Sequence, residues 1–488
     1  MRSRLACVAA VAILIVAAAA CSPARNAAPA AATAAANTGP LPFTLPAQSV
    51  LRASAHKVFA HYFTPYPLSL DDKDAASDYY TRNYLSPTGE GGIHSAYGGL
   101  LRDRPIPRAP IGTGYQLADM KTEVRRAAAA GLDGFTLDLL SVSSSSANWT
   151  RAKLLIQAAA EVDPGFKIVL MPDMNGLASV DSDTLAAAVA GLASSPALYH
   201  LADGRLVISP FKAEGRTAAW WSAWMATMKD EYGISVALVP CFLSFSTANA
   251  DAFAPISYGF SNWGNRNPAA NAGLATNIDR AHALGKIWMQ PVSVQDERPN
   301  QGKYDEAAGT QNLRLTWQAA IDGADWVQIP TWNDYSEGAQ ISPSAEHGWT
   351  FLDLSSYYLT RMKTGAYPAI TKDVVYLTHR TQPAAATPSY PETKLMTLRA
   401  GSTPAQDQVE VLTVLTAAAT VTATIGGTAH TYTAPAGLHV QTFPLKTGTN
   451  AVSVARNGTV TARVTSPFTV TSTPTVQDEQ YVGVTSGR

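Results

Sequence analysis

The sequence predicts a (β/α)8 TIM-like barrel followed by a small all-β sandwich. Three observations carry that prediction. From Lys57 to about Gly365, short apolar runs alternate with amphipathic or Ala-rich stretches, over roughly 300 residues, as in a barrel. All 10 tryptophans fall between Trp149 and Trp349, so the C-terminal part has a different composition. From about Tyr390 the chain becomes rich in Thr and Val, with Gly426-Gly427 and Asn457-Gly458 set between alternating runs, which is hairpin chemistry. An open doubly wound sheet is the competing class, but no G-x-G-x-x-G opens a helix after the first strand.

The elements follow in order. In residues 1–21, Arg2 and Arg4 precede an apolar run from Leu5 to Ala20, then Ala18-Ala19-Ala20-Cys21. This pattern predicts a signal peptide with a lipoprotein-type cleavage site, Cys21 becoming the lipidated first residue. Residues 22–50, rich in Ala, Pro, Asn and Thr, are expected to form a disordered tether. The barrel is assigned to 51–383. Its expected strands are Val58–Phe63, Gly134–Leu140, Lys167–Pro172, Arg205–Ser209, Ser235–Pro240, Ala254–Tyr258, Lys286–Pro291 and Trp326–Thr331. The stretch Thr64 to Tyr115, loaded with Tyr, Asp, Gly and Pro, is expected to cover the C-terminal face of the barrel. A Pro-punctuated link, Ala384–Ser389, leads to the sandwich at 390–475, and 476–488 is expected to be a flexible tail.

Composition excludes several classes. With 46% hydrophobic and 15% charged residues among 488, the chain can bury a large core and is not disordered. A formal net charge of -1 with no basic stripe gives nucleic acid no footing. Of three cysteines, Cys7 and Cys21 lie in or at the end of the signal, leaving Cys241 without a partner for a disulfide. No H-E-x-x-H, C-x-x-C, P-loop or G-x-S-x-G occurs, so no cofactor and no metal is expected. Membrane contact is expected through the lipid anchor alone, and the protein is expected to be a monomer.

In a barrel, polar residues just past the C-terminal ends of strands are the candidates for chemistry. Here those ends offer His61 and Tyr62, then Asp138, Asp173, Tyr258, Asn262 with Trp263, and Gln290 followed by Gln295 and Asp296. The last strand runs into Trp332-Asn333-Asp334-Tyr335-Ser336-Glu337. Two carboxylates three positions apart, among aromatics and an amide, suit acetal cleavage in a glycan. One carboxyl protonates the leaving oxygen, the other handles water or the sugar carbon, and ring faces hold the sugar. Asp133 opens the second strand at the end that faces away from a barrel's site, so Asp138 is the better placed of the two. A catalytically dead glycan-binding lipoprotein is the rival from another class, and the intact carboxylate pair argues against it.

Val58-Phe59-Ala60-His61-Tyr62, Gly131-Leu132-Asp133-Gly134-Phe135-Thr136-Leu137-Asp138, and Asp325-Trp326-Val327 leading to Trp332-Asn333-Asp334-Tyr335-Ser336-Glu337 resemble glycoside hydrolase family 71. The resemblance covers about 57 to 380. It implies an endo-acting α-1,3-glucanase, or mutanase, that inverts the anomeric centre and uses no metal. It also implies that Asp334 and Glu337 are the catalytic pair, and that the family's strand-two Asp is Asp133 rather than Asp138. The family usually has Gly at Ser336 and Asn at Asp138. A related α-mannan-cleaving family carries a similar E-x-x-E run, so α-mannan is the alternative substrate.

Overall fold

A computed structural model describes residues 41–488. The signal segment 1–21, Cys21 and residues 22–40 of the tether lie outside the described residues. Among the described residues, no helix is long and apolar enough to cross a membrane.

The larger part is a curled parallel sheet. Its strands are β1 (Lys57–Tyr62), β2 (Gly134–Leu139), β3 (Lys167–Pro172), β4 (Leu206–Ile208), β5 (Val236–Leu238), β6 (Cys241–Phe242), β7 (Gly259–Asn262) and β8 (Ile287–Pro291). A short hairpin of β9 (Asp296–Arg298) and β10 (Lys303–Asp305) precedes the last parallel strand, β11 (Trp326–Ile329). The nine-stranded order is β5-β4-β3-β2-β1-β11-β8-β7-β6. Its two edges, β5 and β6, are separated in the chain only by Val239 and Pro240. Proline donates no ladder hydrogen bond, which accounts for the break. Bridges Leu238↔Ser257 and Phe211↔Cys241 carry the pairing past it.

Side chains alternate with period two along these strands. Phe59, Val169, Val207, Ala237, Val239, Met289 and Trp326 form one cluster inside the curl, at the strands' N-terminal ends. Val58, Ala60, Tyr62, Phe135, Leu137 and Trp288 point the other way, into the layer shared with the surrounding helices.

One expected strand is displaced. Residues Ala254–Tyr258 read as apolar and extended, but Thr247–Phe253 is a helix capped by Ser246, whose Oγ accepts from the Asn249 N–H at 3.1 Å. Pro255 then breaks the run, and the strand begins at Gly259. A Cβ at Gly259 would lie 2.2 Å from Ile287 Cγ1, so close strand packing requires glycine there.

Beyond the helix Thr350–Thr364 the strands pair antiparallel, except Thr397–Leu398, which runs parallel to β10 at the edge of the β9–β10 hairpin. These strands are β12 (Val374–His379), β13 (Thr397–Leu398), β14 (Gln408–Leu415), β15 (Ala419–Ile425), β16 (Thr428–Ala434), β17 (Gly437–Pro444), β18 (Asn450–Arg456), β19 (Thr459–Thr465) and β20 (Val482–Thr485). One sheet has the order β17-β14-β12-β20 and the other β16-β15-β18-β19. They share one cluster, with Val375, Leu377, Val409 and Val411 of the first packed among Val421, Ile425, Val452 and Val454 of the second. The two hairpins turn on Gly426-Gly427 and Asn457-Gly458, all four with positive φ.

Three boundaries differ from expectation. Residues 41–50, assigned to the disordered tether, are ordered: Phe43 is buried and bridges Ile370, the Thr44 N–H donates to Ala369 O at 3.0 Å, and Gln48–Ala53 is a helix. β12 lies within the segment assigned to the barrel, yet it pairs with β14 and β20. Residues 476–488 are not a flexible tail. Val476 to Val482 are buried and β20 completes a sheet. The polar run Gln477-Asp478-Glu479-Gln480 resembles a solvated segment, but its groups find buried partners. Gln477 Nε2 donates to Met396 O at 3.0 Å, and the Tyr481 N–H donates to Gln295 Oε1 at 2.9 Å.

Candidate active site

The loop after β11 is held by its own backbone. The Trp332 N–H donates to His61 O at 2.7 Å, Thr331 N–H to Ala339 O at 3.1 Å, and Ser342 N–H to Trp332 O at 2.9 Å. Three of its side chains brace it from behind. Trp332 Nε1 donates to Glu123 on the helix Tyr115–Ala129. Asn333 clamps the loop after β1, accepting from Phe63 N–H at 2.7 Å and donating to Phe63 O and Tyr66 O at 2.9 Å each. The Tyr335 hydroxyl meets Ser342 Oγ at 2.9 Å.

Asp334 and Glu337 are the two carboxylates of this loop. Asp334 Oδ1 accepts from Ser336 N–H at 3.0 Å and Ser336 Oγ at 2.6 Å. Glu337 Oε1 lies 2.7 Å from Arg298 Nη1, while its Oε2 is buried without a hydrogen-bond partner. Burial pushes Asp334 up to about 6, against the opposing pull of the Ser336 hydroxyl and Arg298. Burial pushes Glu337 up to about 7, with Arg298 opposing and the Asp334 and Asp296 carboxylates adding to the rise. Burial thus favours the protonated form of both carboxyls, while Asp334 also accepts two hydrogen bonds that favour its ionised form.

Arg298 is fixed from the far side by Asp296, at 2.6 Å, and Asp296 is held also by Arg399 at 3.0 Å. Glu297, between them, donates its N–H to Glu337 O at 2.7 Å and accepts from the Glu479 N–H at 2.7 Å. The β9–β10 hairpin is thus the second wall of the site.

The alternation that turns Tyr62 outward turns His61 inward. His61 Nε2 is 3.7 Å from Asp138 Oδ2, its Nδ1 is 3.1 Å from Met171 Sδ, and burial lowers its pKa to about 4. The charges of Asp173, Glu337 and Arg266 act on it, so these groups lie near it at the C-terminal ends of the strands. Asp173 Oδ1 accepts from Asn175 N–H at 2.7 Å. Trp263 stands edge-on to His61 at 4.9 Å between ring centroids, with Arg266 over its face at 5.3 Å. Asn262 ends β7 beside it. Asp138 Oδ1, Asn262 Oδ1 and both Nε and Nη2 of Arg266 are buried without a hydrogen-bond partner.

Several expected contacts do not reach this cleft. Tyr62 donates to Met120 Sδ at 3.1 Å in the helix layer. Gln290 faces the same layer, accepting from Trp288 Nε1 at 2.8 Å and donating to Pro291 O at 2.9 Å. Period two excludes both once His61 and Met289 point inward. Trp332, Asn333 and Tyr335 are consumed in bracing the loop. Tyr258 precedes β7 and lies at the opposite mouth, among Tyr199, Trp326 and Arg205. Asp133 accepts from the Val58 N–H at 2.7 Å and pairs with Lys363, so it ties strand to helix at that same far end. Arg298, Arg266 and Tyr66 were not singled out from the sequence. They lie on the β9–β10 hairpin, the loop after β7 and the loop after β1, and no periodic signal marks any of these.

The sequence profile of Glycosyl hydrolase family 71 matches residues 111–485. The chain is 27% identical over 405 residues to glucan endo-1,3-alpha-glucosidase agn1 of Schizosaccharomyces pombe, covering 76% of this chain and 91% of that protein. It is 26% identical over 369 residues to Mutanase Pc12g07500 of Penicillium rubens, covering 70% and 79% respectively. An endo-alpha-mannosidase of glycoside hydrolase family 99 from Bacteroides thetaiotaomicron is a structural neighbour, with a TM-score of 0.48, 16% identity, and coverage of 64% of this chain and 99% of that one. The family match begins just ahead of the helix before β2, ends with β20 and takes in Asp138, Asp296, Asp334 and Glu337, so the chain belongs to glycosyl hydrolase family 71 and is a glycoside hydrolase.

Proposed function

We propose that this protein is an exported, endo-acting α-1,3-glucan hydrolase that inverts the anomeric carbon, with Glu337 as general acid and Asp334 as general base. The observation that carries the assignment is the different setting of the two carboxyls on one braced loop: Asp334 accepts from the Ser336 N–H and hydroxyl, which favours its ionised form, whereas Glu337 keeps one buried oxygen without a hydrogen-bond partner. Paired carboxylates whose environments separate their pKa values divide into acid and base in this way. Protonated Glu337 gives its proton to the glycosidic oxygen as the bond breaks. Ionised Asp334 takes a proton from the water that attacks the other face, a geometry that needs carboxyls roughly 6.5–9.5 Å apart. Arg298 stabilises Glu337 once it has lost its proton. Trp263 would offer a ring to the sugar, and His61, Asp138, Asp173 and Asn262 would offer polar contacts.

The scaffold in this reading is a (β/α)8 barrel whose fifth strand is split at Pro240 into β5 and β6, followed by a β-sandwich. The names of the fungal relatives support α-1,3-glucan as substrate. Export, a lipid anchor on Cys21 and a monomeric state rest on the sequence reading. Incubation of the mature protein with a panel of α-glucans and α-mannans, with products identified by mass and linkage, tests the proposal. Cleavage of α-mannan with α-1,3-glucan untouched would overturn it.

A further inference from the structure

Asp138 differs from the carboxylates of the loop. It is buried at the C-terminal end of β2, 3% exposed, on the inner face of the sheet. Its Oδ1 has no hydrogen-bond partner. Among the described residues no lysine or arginine forms an ion pair with it. The one group near enough to bear a compensating charge is His61 on β1, at 3.7 Å, beyond hydrogen-bond reach. From the end of β3 it faces Asp173, a second carboxylate. His61 in turn faces Glu337 and Arg266, and its burial disfavours the imidazolium. A lone buried carboxylate costs far more than a neutral carboxyl in the same place, so such a group keeps its proton. Burial and the Asp173 charge both push Asp138 in that direction.

We propose that Asp138 works as a neutral carboxylic acid, donating a hydrogen bond from its unpaired end to an oxygen of the sugar unit in the cleft, and so helps decide which sugar is accepted. The role rests on the reading of this cleft as a glycan site. Sites that hydrogen-bond a substrate oxygen reject analogues lacking it, because the buried protein group is then left unpaired. An ionised Asp138 could only accept hydrogen bonds, and it would select for a different arrangement of hydroxyls.

Two measurements test the assignment. In protein labelled with ¹³C at aspartate carboxyls, the Asp138 resonance is identified by its loss in Asp138→Asn. At about pH 6, well above the usual aspartate value near 3.9, it should show the shift of a neutral carboxyl. A carboxylate shift there would overturn the proposal, and it would point instead to an ion pair with charged His61. On α-1,3-linked oligosaccharides, Asp138→Asn keeps a donor and should hold kcat/KM within about 5-fold, whereas Asp138→Ala should lose about 10-fold or more. Equal losses in both variants would also reject the donor role. Inactivity of the wild type on these oligosaccharides would count against the glucanase reading. The carboxyl resonance, read without any glycan, would still decide the proton.

Discussion

The guanidinium of Arg298 sits 2.7 Å from one oxygen of Glu337 while the other oxygen of that carboxyl stays unpaired. One half of the group is thus tied to a cation and the other half is left for the reaction. Arg298 favours the ionised form of Glu337, opposing the rise that burial imposes. Removing that cation in Arg298→Met should raise the pKa of Glu337 further, by about one unit or more. The acid then keeps its proton to higher pH, so the alkaline limb of kcat/KM should move upward. At the same time kcat should fall, because the carboxylate left after proton transfer has lost its partner. A pH–rate profile in which that limb stays put would show that the pair is structural.

The wild-type profile should be a narrow bell. Asp334 must be ionised, which fails as pH drops through about 6, and Glu337 must be protonated, which fails as pH rises through about 7. The two limbs belong to the pair rather than to either residue, and kcat/KM should peak between them. An optimum well outside that window would remove these two groups from the acid and base roles.

Glu337→Gln and Asp334→Asn keep size and remove charge. Each should cut kcat by about 10²–10⁴, the usual worth of general acid or base help. A substrate with a good leaving group needs little protonation, so it should restore Glu337→Gln more than Asp334→Asn. NMR of the first-formed product should show inversion at the anomeric carbon, and a retained α-anomer would be incompatible with single displacement.

Truncation after Thr381 should not yield a folded parallel domain, although a Pro-punctuated linker and a shift in composition suggest a clean boundary. Buried Asp353 pairs with Arg488, buried Arg380 lies 3.5 Å from Glu479, and Glu306 accepts from the Tyr481 hydroxyl at 2.8 Å. Glu410 on β14 accepts from the Thr310 N–H at 3.2 Å and pairs with Arg314 at 3.1 Å. Cutting there strands several buried charges, and one uncompensated buried charge alone costs about 3–5 kcal/mol. Solubility and thermal unfolding of the truncated protein check this. A soluble product with an unchanged melting temperature would mean that the sandwich is a passenger.

Where apolar periodicity and strand ends govern the outcome, the sequence was readable. β1, β2, β3 and β8 begin and end within a residue or so of the alternating runs, and Asp334 with Glu337 lies on the loop after β11. Strand ends alone do not tell which neighbour points inward, so Tyr62 and Gln290 read as site residues although His61 and Met289 are the inward ones. The missing information was the face each strand presents, and one inward residue would have fixed the rest by alternation. Other features were invisible for a different reason. Arg298 meets Glu337, and Glu479 meets Glu297, across spans that no local pattern encodes. The aromatics of the motif were read as sugar platforms, yet Trp332 and Tyr335 are buried braces.

Glu297 links two segments made at very different times. Its N–H supports Glu337, and its carboxylate is capped by the backbone of Glu479, 182 positions later in the chain. During synthesis, residues 297 and 337 emerge long before 479. Until that later stretch arrives and β20 closes onto β12, the wall that carries Arg298 lacks its backing. The arrangement of Asp334, Glu337 and Arg298 is therefore completed only after nearly the whole polypeptide has been made.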